Sequence, residues 1–203
     1  MVVVSRVERA NILGAVGGRD GSPAAVMVWG MLIRNADPQH DAPACAAIYG
    51  PYVSGSAVSF EEQPPTVEET AARIGAAYAW VLAEHEGATL GYAYGSRHRE
   101  RAAYRWAADV AVYIDPPRHR SGVGRALYTS LFERLQTIGL WTLCAGITQP
   151  NEASNGLHRA MGFVPVGTYR RIGWKAGAWH DVQWWQLDLR PGDSGPPSEP
   201  TTS

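Results

Sequence analysis

Residues 112–127 constrain the chain more than any other stretch, because they read as a buried strand running through a tight turn into a helix. Val112, Tyr113 and Ile114 are β-branched or aromatic, the types that favour strands, and Pro116 with Pro117 stops regular structure behind them. Gly122 and Gly124 omit Cβ atoms where backbone amides would approach an anion, and the orphan N–H groups of a first helical turn all point one way. Phosphate oxygens suit that geometry and its partial positive charge. Leu127, Leu131 and Leu135 recur at a spacing of four, with Val123 one turn earlier and Ile138 beyond, and Gly139 supplies a stop. The spacing predicts a helix over 125–137 whose N-terminus receives a phosphorylated ligand.

Two familiar phosphate loops do not fit. No Gly-Lys-Ser/Thr run follows a glycine after four spacers. A dinucleotide fingerprint needs glycine or alanine three residues after the second glycine, where Leu127 stands.

The rest of the chain reads as one α/β domain with tails. Its 203 residues, 45% hydrophobic, suffice for a sizeable core, and a net charge of -1 gives no general attraction to nucleic acid or acidic membranes. Cys45 and Cys144 sit in apolar surroundings of different elements, as buried free thiols do, which speaks for a reducing cytoplasm and against a disulfide or metal site. Residues 1–30 read as a flexible extension broken near Gly17, with Met27 or Met31 as an alternative translation start and no convincing signal peptide. The domain is expected over 31–190, and residues 191–203, rich in Pro, Ser and Thr, as a disordered tail. Expected elements are a strand at 31–34, a short helix at 42–49, a helix capped by Thr66 and Glu69 and reaching Tyr78, and a hairpin of 80–84 with 89–94 around Glu86 and Gly87. A central strand at 106–114, a short strand at 143–147, a helix at 152–161 and a closing strand at 182–189 follow.

Arg120, Ser121, Gly122, Val123, Gly124 and Arg125 together resemble the pyrophosphate loop of the GCN5-related N-acetyltransferase (GNAT) family, with His119 where that pattern has Gln or Arg. The resemblance extends from about Leu32 to Leu189. Residues 57–61, 101–106 with Asp109, 149–152, 157–163 and 173–182 follow the order of the phosphinothricin and methionine sulfoximine acetyltransferase branch. It implies the GNAT acyl-CoA N-acyltransferase fold: an α/β structure whose mixed central sheet, flanked by helices, has a splayed parallel strand pair, here the strands of Val112 and Gly146. It also implies acetyl-CoA as cosubstrate, no metal, a small amino-acid substrate and a homodimer.

By the same resemblance Asp109 matches a catalytic Glu on the central strand. Its shorter side chain leaves open a direct role, a relay through water, or a plain strand-end hydrogen bond. His158 serves the departing sulfur as acid or the amine as base, or is a helical histidine satisfied by a neighbouring carbonyl. Backbone groups of Val112, Tyr113 and Ile114 hold the pantetheine arm, and Asn151 either joins them or only caps a helix. Phe60, Arg101, Tyr104, Arg170, Lys175 and Trp179 are the expected acceptor contacts, the cations matching a carboxylate and a polar tail. Two alternatives stand beside this reading: acetylation of a protein or peptide amine, and an acyl-CoA-binding regulatory module without turnover.

Overall fold

The protein is described here by a computed structural model covering residues 12–17, 23–28, 30–195 and 197–201. The described strands are β1 (Ile12–Gly17), β2 (Pro23–Val28), β3 (Met31–Asn35), β4 (Ala79–His85), β5 (Ala88–Arg97), β6 (Ala107–Ile114), β7 (Thr142–Gln149), β8 (Val164–Lys175) and β9 (Ala178–Asp188). They form one sheet in the order β1-β2-β3-β4-β5-β6-β7-β9-β8. Every neighbouring pair is antiparallel except β6 and β7. The helices are α1 (Pro38–Gly55), α2 (Val67–Ala76), α3 (Val123–Thr137) and α4 (Glu152–Ala160).

Helices cover both faces, and β4 shows why its residues form a central strand. Val81 and Ala83 face one core with Leu127, Leu131 and Leu135 of α3, while Trp80 and Leu82 face another with Cys45, Ile48 and Val53 of α1. A period of two with both sets apolar is what a strand buried on two sides requires. The three α3 leucines are fully buried, each worth about 1.5–3 kcal/mol of apolar transfer. Gly95 of β5 lets α3 sit close, since a Cβ there would lie 2.8 Å from Leu135 Cδ1. Arg34 of β3 ties the second layer to the sheet, donating to Asp41 of α1 at 2.7 and 2.8 Å and to Glu84 of β4 at 2.6 and 3.0 Å.

Several expectations need correction. The helix placed at 42–49 runs from Pro38 to Gly55 and carries Pro43 and Pro51 inside it; a proline forfeits one helical hydrogen bond, which burial of Ile48, Tyr49 and Val53 offsets. The extension expected to be flexible supplies β1 and β2, and Val26 with Val28 alternates into the core. Residues 18–22, where the break was expected, lie outside the described residues, as do residues 1–11. Residues 197–201 of the tail lie against the domain and make specific contacts. Glu199 binds Arg105 at 2.6 and 2.7 Å, Trp106 Nε1 donates to the Ser198 carbonyl at 2.8 Å, and Thr201 N donates to the Ile138 carbonyl at 2.9 Å. Its polar partners lie far away in sequence, so composition gave no sign of them. Strand β8 was not expected at all.

Candidate active site

Strands β6 and β7 are paired only at Ala107–Thr142, Ala108–Leu143 and Asp109–Cys144. Beyond Asp109 they part. Val110, Val112 and Tyr113 line one wall of the cleft, and Ala145, Gly146 and Ile147 the other. On its opposite edge β6 remains laddered to β5 as far as Ile114, so backbone polar groups along its cleft edge face an opening in place of a strand. Asn151, Ser154 and His158 of the α4 region and Tyr128 of α3 close the cleft, with Val58 above.

The turn expected to hold an anion stands at the start of α3. Gly122 is its N-cap in a left-handed conformation, φ 85°, which a side chain would disfavour. The first intrahelical bond is Ala126 N to the Gly122 carbonyl, so the amides of Val123, Gly124 and Arg125 precede it. Arg118, Arg120 and Arg125 are exposed around them. Gly124 also serves the contact with α4, since a Cβ there would lie 3.2 Å from Leu157 Cδ2. His119 is tied inward, its Nε2 2.8 Å from the hydroxyl of Tyr52, which donates to the Ile114 carbonyl at 2.6 Å. Ser121 Oγ donates to the Arg118 carbonyl at 2.5 Å.

His158 is almost fully buried. Its Nδ1 lies 2.8 Å from the Ser154 carbonyl, which only accepts, so Nδ1 carries the proton. Nε2 then accepts from the Tyr128 hydroxyl, 3.0 Å away. Burial pushes the imidazole pKa below its ordinary value, a direction that keeps the ring neutral. Asn151 caps α4, its Oδ1 accepting from Ser154 N at 3.1 Å, and also lines the cleft. Both readings of Asn151 therefore remain compatible with its position.

Asp109 stands where the strands separate, its carboxylate 2.7 Å from His98 Nδ1 and 3.9 Å from Arg99. Burial raises the carboxyl pKa, partly offset by His98 and Arg99. Ring edges of Tyr104 and Trp184 pack on His98 at centroid distances of 5.8 and 6.4 Å, and Trp184 in turn packs over Gly146. His98 was missed in the sequence. A signal existed, because Ser96 pairs with Asp109 across β5 and β6, making His98 a diagonal neighbour on the same face.

The six expected acceptor contacts are not gathered together. Tyr104 reaches the Asp109 neighbourhood through His98, and Arg101 is exposed at the start of the short turn that carries Tyr104. Phe60 rests against Gly173, where a Cβ would come within 2.3 Å of its ring. Arg170 is exposed in β8 beside a bulge between Tyr169 and Gly173. Trp179 pairs with Trp174 at the tip of the β8–β9 hairpin, centroids 5.3 Å apart. Lys175 donates to the carbonyls of Val53, Ser59 and Glu61 at 2.6, 2.7 and 2.8 Å. All three ammonium protons are thereby engaged, so Lys175 clamps the loop carrying Val58 and Phe60 and is not an open cation for an acceptor.

A sheet opened at the one parallel pair among its described strands, with a helix N-terminus at the mouth and a carboxylate where the strands part, defines an acyl-group transferase of the acyl-CoA type. Residues 33–184 match the family model described as "Acetyltransferase (GNAT) domain", and the chain belongs to that family. It is 41% identical over 160 residues to a phosphinothricin N-acetyltransferase of Alcaligenes faecalis, covering 76% of this chain and 81% of that one. It is 33% identical over 162 residues to an L-methionine sulfoximine/L-methionine sulfone acetyltransferase of Pseudomonas aeruginosa, covering 77% and 94%. A GNAT phosphinothricin acetyltransferase from Sinorhizobium meliloti, solved in complex with acetyl-CoA, superposes with a TM-score of 0.79 at 32% identity over 84% of this chain and 94% of that one.

Proposed function

We propose that the protein transfers the acetyl group of acetyl-CoA to the α-amine of a small amino acid or analogue of the phosphinothricin, methionine sulfoximine or methionine sulfone type. The observation that carries this is the cleft between β6 and β7, which has an anion-suited helix start at one end and the Asp109–His98 pair at the other. Phosphate oxygens of the cosubstrate suit the amides of Val123, Gly124 and Arg125, flanked by Arg118 and Arg120. The pantetheine arm suits the cleft edge of β6 at Val112, with Asn151 across from it, while the carbonyl of Ile114 is taken by Tyr52. Tyr128, held by neutral His158, is the group at the base of the cleft suited to protonate the departing thiolate. Loss of the α-ammonium charge would blunt a toxic amino-acid analogue, the chemistry of resistance.

Two finer points belong to the same reading. Val164, Val166, Ile172 and Trp174 of edge strand β8 are each more than half exposed, which favours a homodimer formed through this strand. Two free cysteines fit a reducing cytoplasm.

Thiol release with acetyl-CoA and a panel of amino-acid analogues tests the acceptor. Turnover of the sulfoximine, the sulfone or phosphinothricin is the expected result; turnover of a peptide amine alone would replace the reading with protein acetylation. A second expected outcome concerns the loop. Forcing a β-branched residue into the left-handed position of Gly122 costs roughly 1–2 kcal/mol locally and misdirects the amides, so Gly122→Val is expected to weaken acetyl-CoA binding about tenfold. Calorimetry on the folded variant reads this directly, and unchanged affinity would remove the loop from the site.

A further inference from the structure

The geometry points to His98, held through Nδ1 by Asp109, as the base that takes the proton from the acceptor ammonium, so that Asp109 acts by orienting the imidazole. This inference rests on the acetyl-transfer reading above. Asp109 stands at the last paired rung of β6, and His98 Nδ1 lies 2.7 Å from its carboxylate. A carboxylate accepts only, so Nδ1 carries the proton of the neutral ring and Nε2 keeps its lone pair. Neither ring nitrogen of His98 has another hydrogen-bond partner among the described residues. The charged and titratable groups around the ring are Asp109 itself, Arg99 3.9 Å from the same carboxylate, Tyr104 at the ring edge, and the Cys144 thiol within 4.8 Å. Asp109 alone among them offsets a positive charge forming on the ring. Trp184 fixes the imidazole from the side and packs on Gly146, the residue of β7 facing the gap. The His98 side chain is 16% exposed and that of Asp109 32%, so the imidazole lies deeper than the carboxylate it binds, beside the point where the strands part.

The reaction balances through these groups. The ammonium gives one proton to His98 Nε2, and the freed lone pair forms the C–N bond at the thioester carbon. The C–S bond breaks as the thiolate takes a proton from Tyr128. The second proton shed by nitrogen restores Tyr128, and the imidazolium releases its proton to solvent, leaving amide, thiol and one proton.

Two substitutions separate base from holder. In His98→Asn the amide nitrogen can occupy the place of Nδ1 and keep the bond to Asp109, but the Nε2 lone pair is gone. The variant is expected to lose roughly 100-fold or more in kcat/KM near neutral pH, as much as His98→Phe, with acetyl-CoA affinity unchanged by calorimetry. Nitrogen NMR of the wild type is expected to show the Nδ1–H tautomer for His98. His98→Asn within about threefold of wild type, or an Nε2–H tautomer, overturns the proposal and returns the base role to Asp109. Wild-type inactivity on every amino acid with turnover of another amine overturns the acceptor reading alone, and the same variant ratio is then read on that amine. The tautomer is read without any acceptor.

Discussion

Asp109→Asn is expected to lower kcat/KM for the amino-acid acceptor by roughly 100-fold or more at neutral pH, while acetyl-CoA affinity and the fold persist. The carboxylate lies at the head of the cleft, bound to His98 at 2.7 Å, and its negative charge is what favours a proton arriving on that ring. An amide has the same shape without the charge. Raising the pH should recover part of the rate, because the acceptor then reaches the site already as free amine. Stability should move the other way. Burial raises the Asp109 pKa above its unfolded value, so the folded state is favoured while the acid is protonated and that advantage is lost as pH rises through the folded pKa. Removing the ionisable group abolishes that loss, and the Tm of Asp109→Asn at pH 8 should equal or exceed that of the wild type. Wild-type kcat/KM in the folded variant would take Asp109 out of the reaction.

The second large effect is expected at Lys175. Lys175→Met removes the donor to three carbonyls of the segment from Val53 to Glu61, and each charge-assisted hydrogen bond is worth about 1.5–3 kcal/mol. Water replaces some of that, leaving a net loss of about 3 kcal/mol, or roughly 6–12 °C in Tm for a domain of this size. KM for the acceptor should rise with it, since Val58 lines the cleft from the freed loop. A raised KM with an unchanged Tm would instead make Lys175 a direct acceptor contact. Thermal melting and steady-state kinetics on one preparation decide between them.

These two residues mark the limits of what the chain discloses in one dimension. Helix α3 was legible because Leu127, Leu131 and Leu135 repeat the helical period, and the β4–β5 hairpin because two strand-like runs flank Glu86 and Gly87, the glycine taking φ 79° without steric cost. Strand β8 was not, since Pro165, Gly167 and Gly173 interrupt it, both its faces are largely exposed, and two extra residues bulge out between Tyr169 and Gly173. The cleft itself was legible only through the family resemblance. No local pattern announces that two parallel strands will separate after three rungs. Asp109 was found by its place in that resemblance, whereas its partner needed the β5–β6 register. Lys175 was read as a ligand by its position in the same resemblance, and only the fold reveals the carbonyls 114 to 122 residues away that consume it.

The returning end of the chain gives the parted strands a mechanical aspect. Sheet strands β1 to β6 form one jaw and β7 to β9 the other, joined by three rungs at the end remote from the opening. At that same closed end Trp141 and Thr142 both donate to the Trp106 carbonyl. The chain leaves β9 on the second jaw and returns to the first, fastening Glu199 to Arg105 and Ser198 to Trp106. The return segment thus adds a strap across the closed end, beside the Lys175 clamp and the Tyr128–His158 contact that join the two halves elsewhere. High salt would weaken the Arg105–Glu199 part of that strap, and loss of residues 197–201 would remove it whole, in either case without touching a residue that lines the cleft.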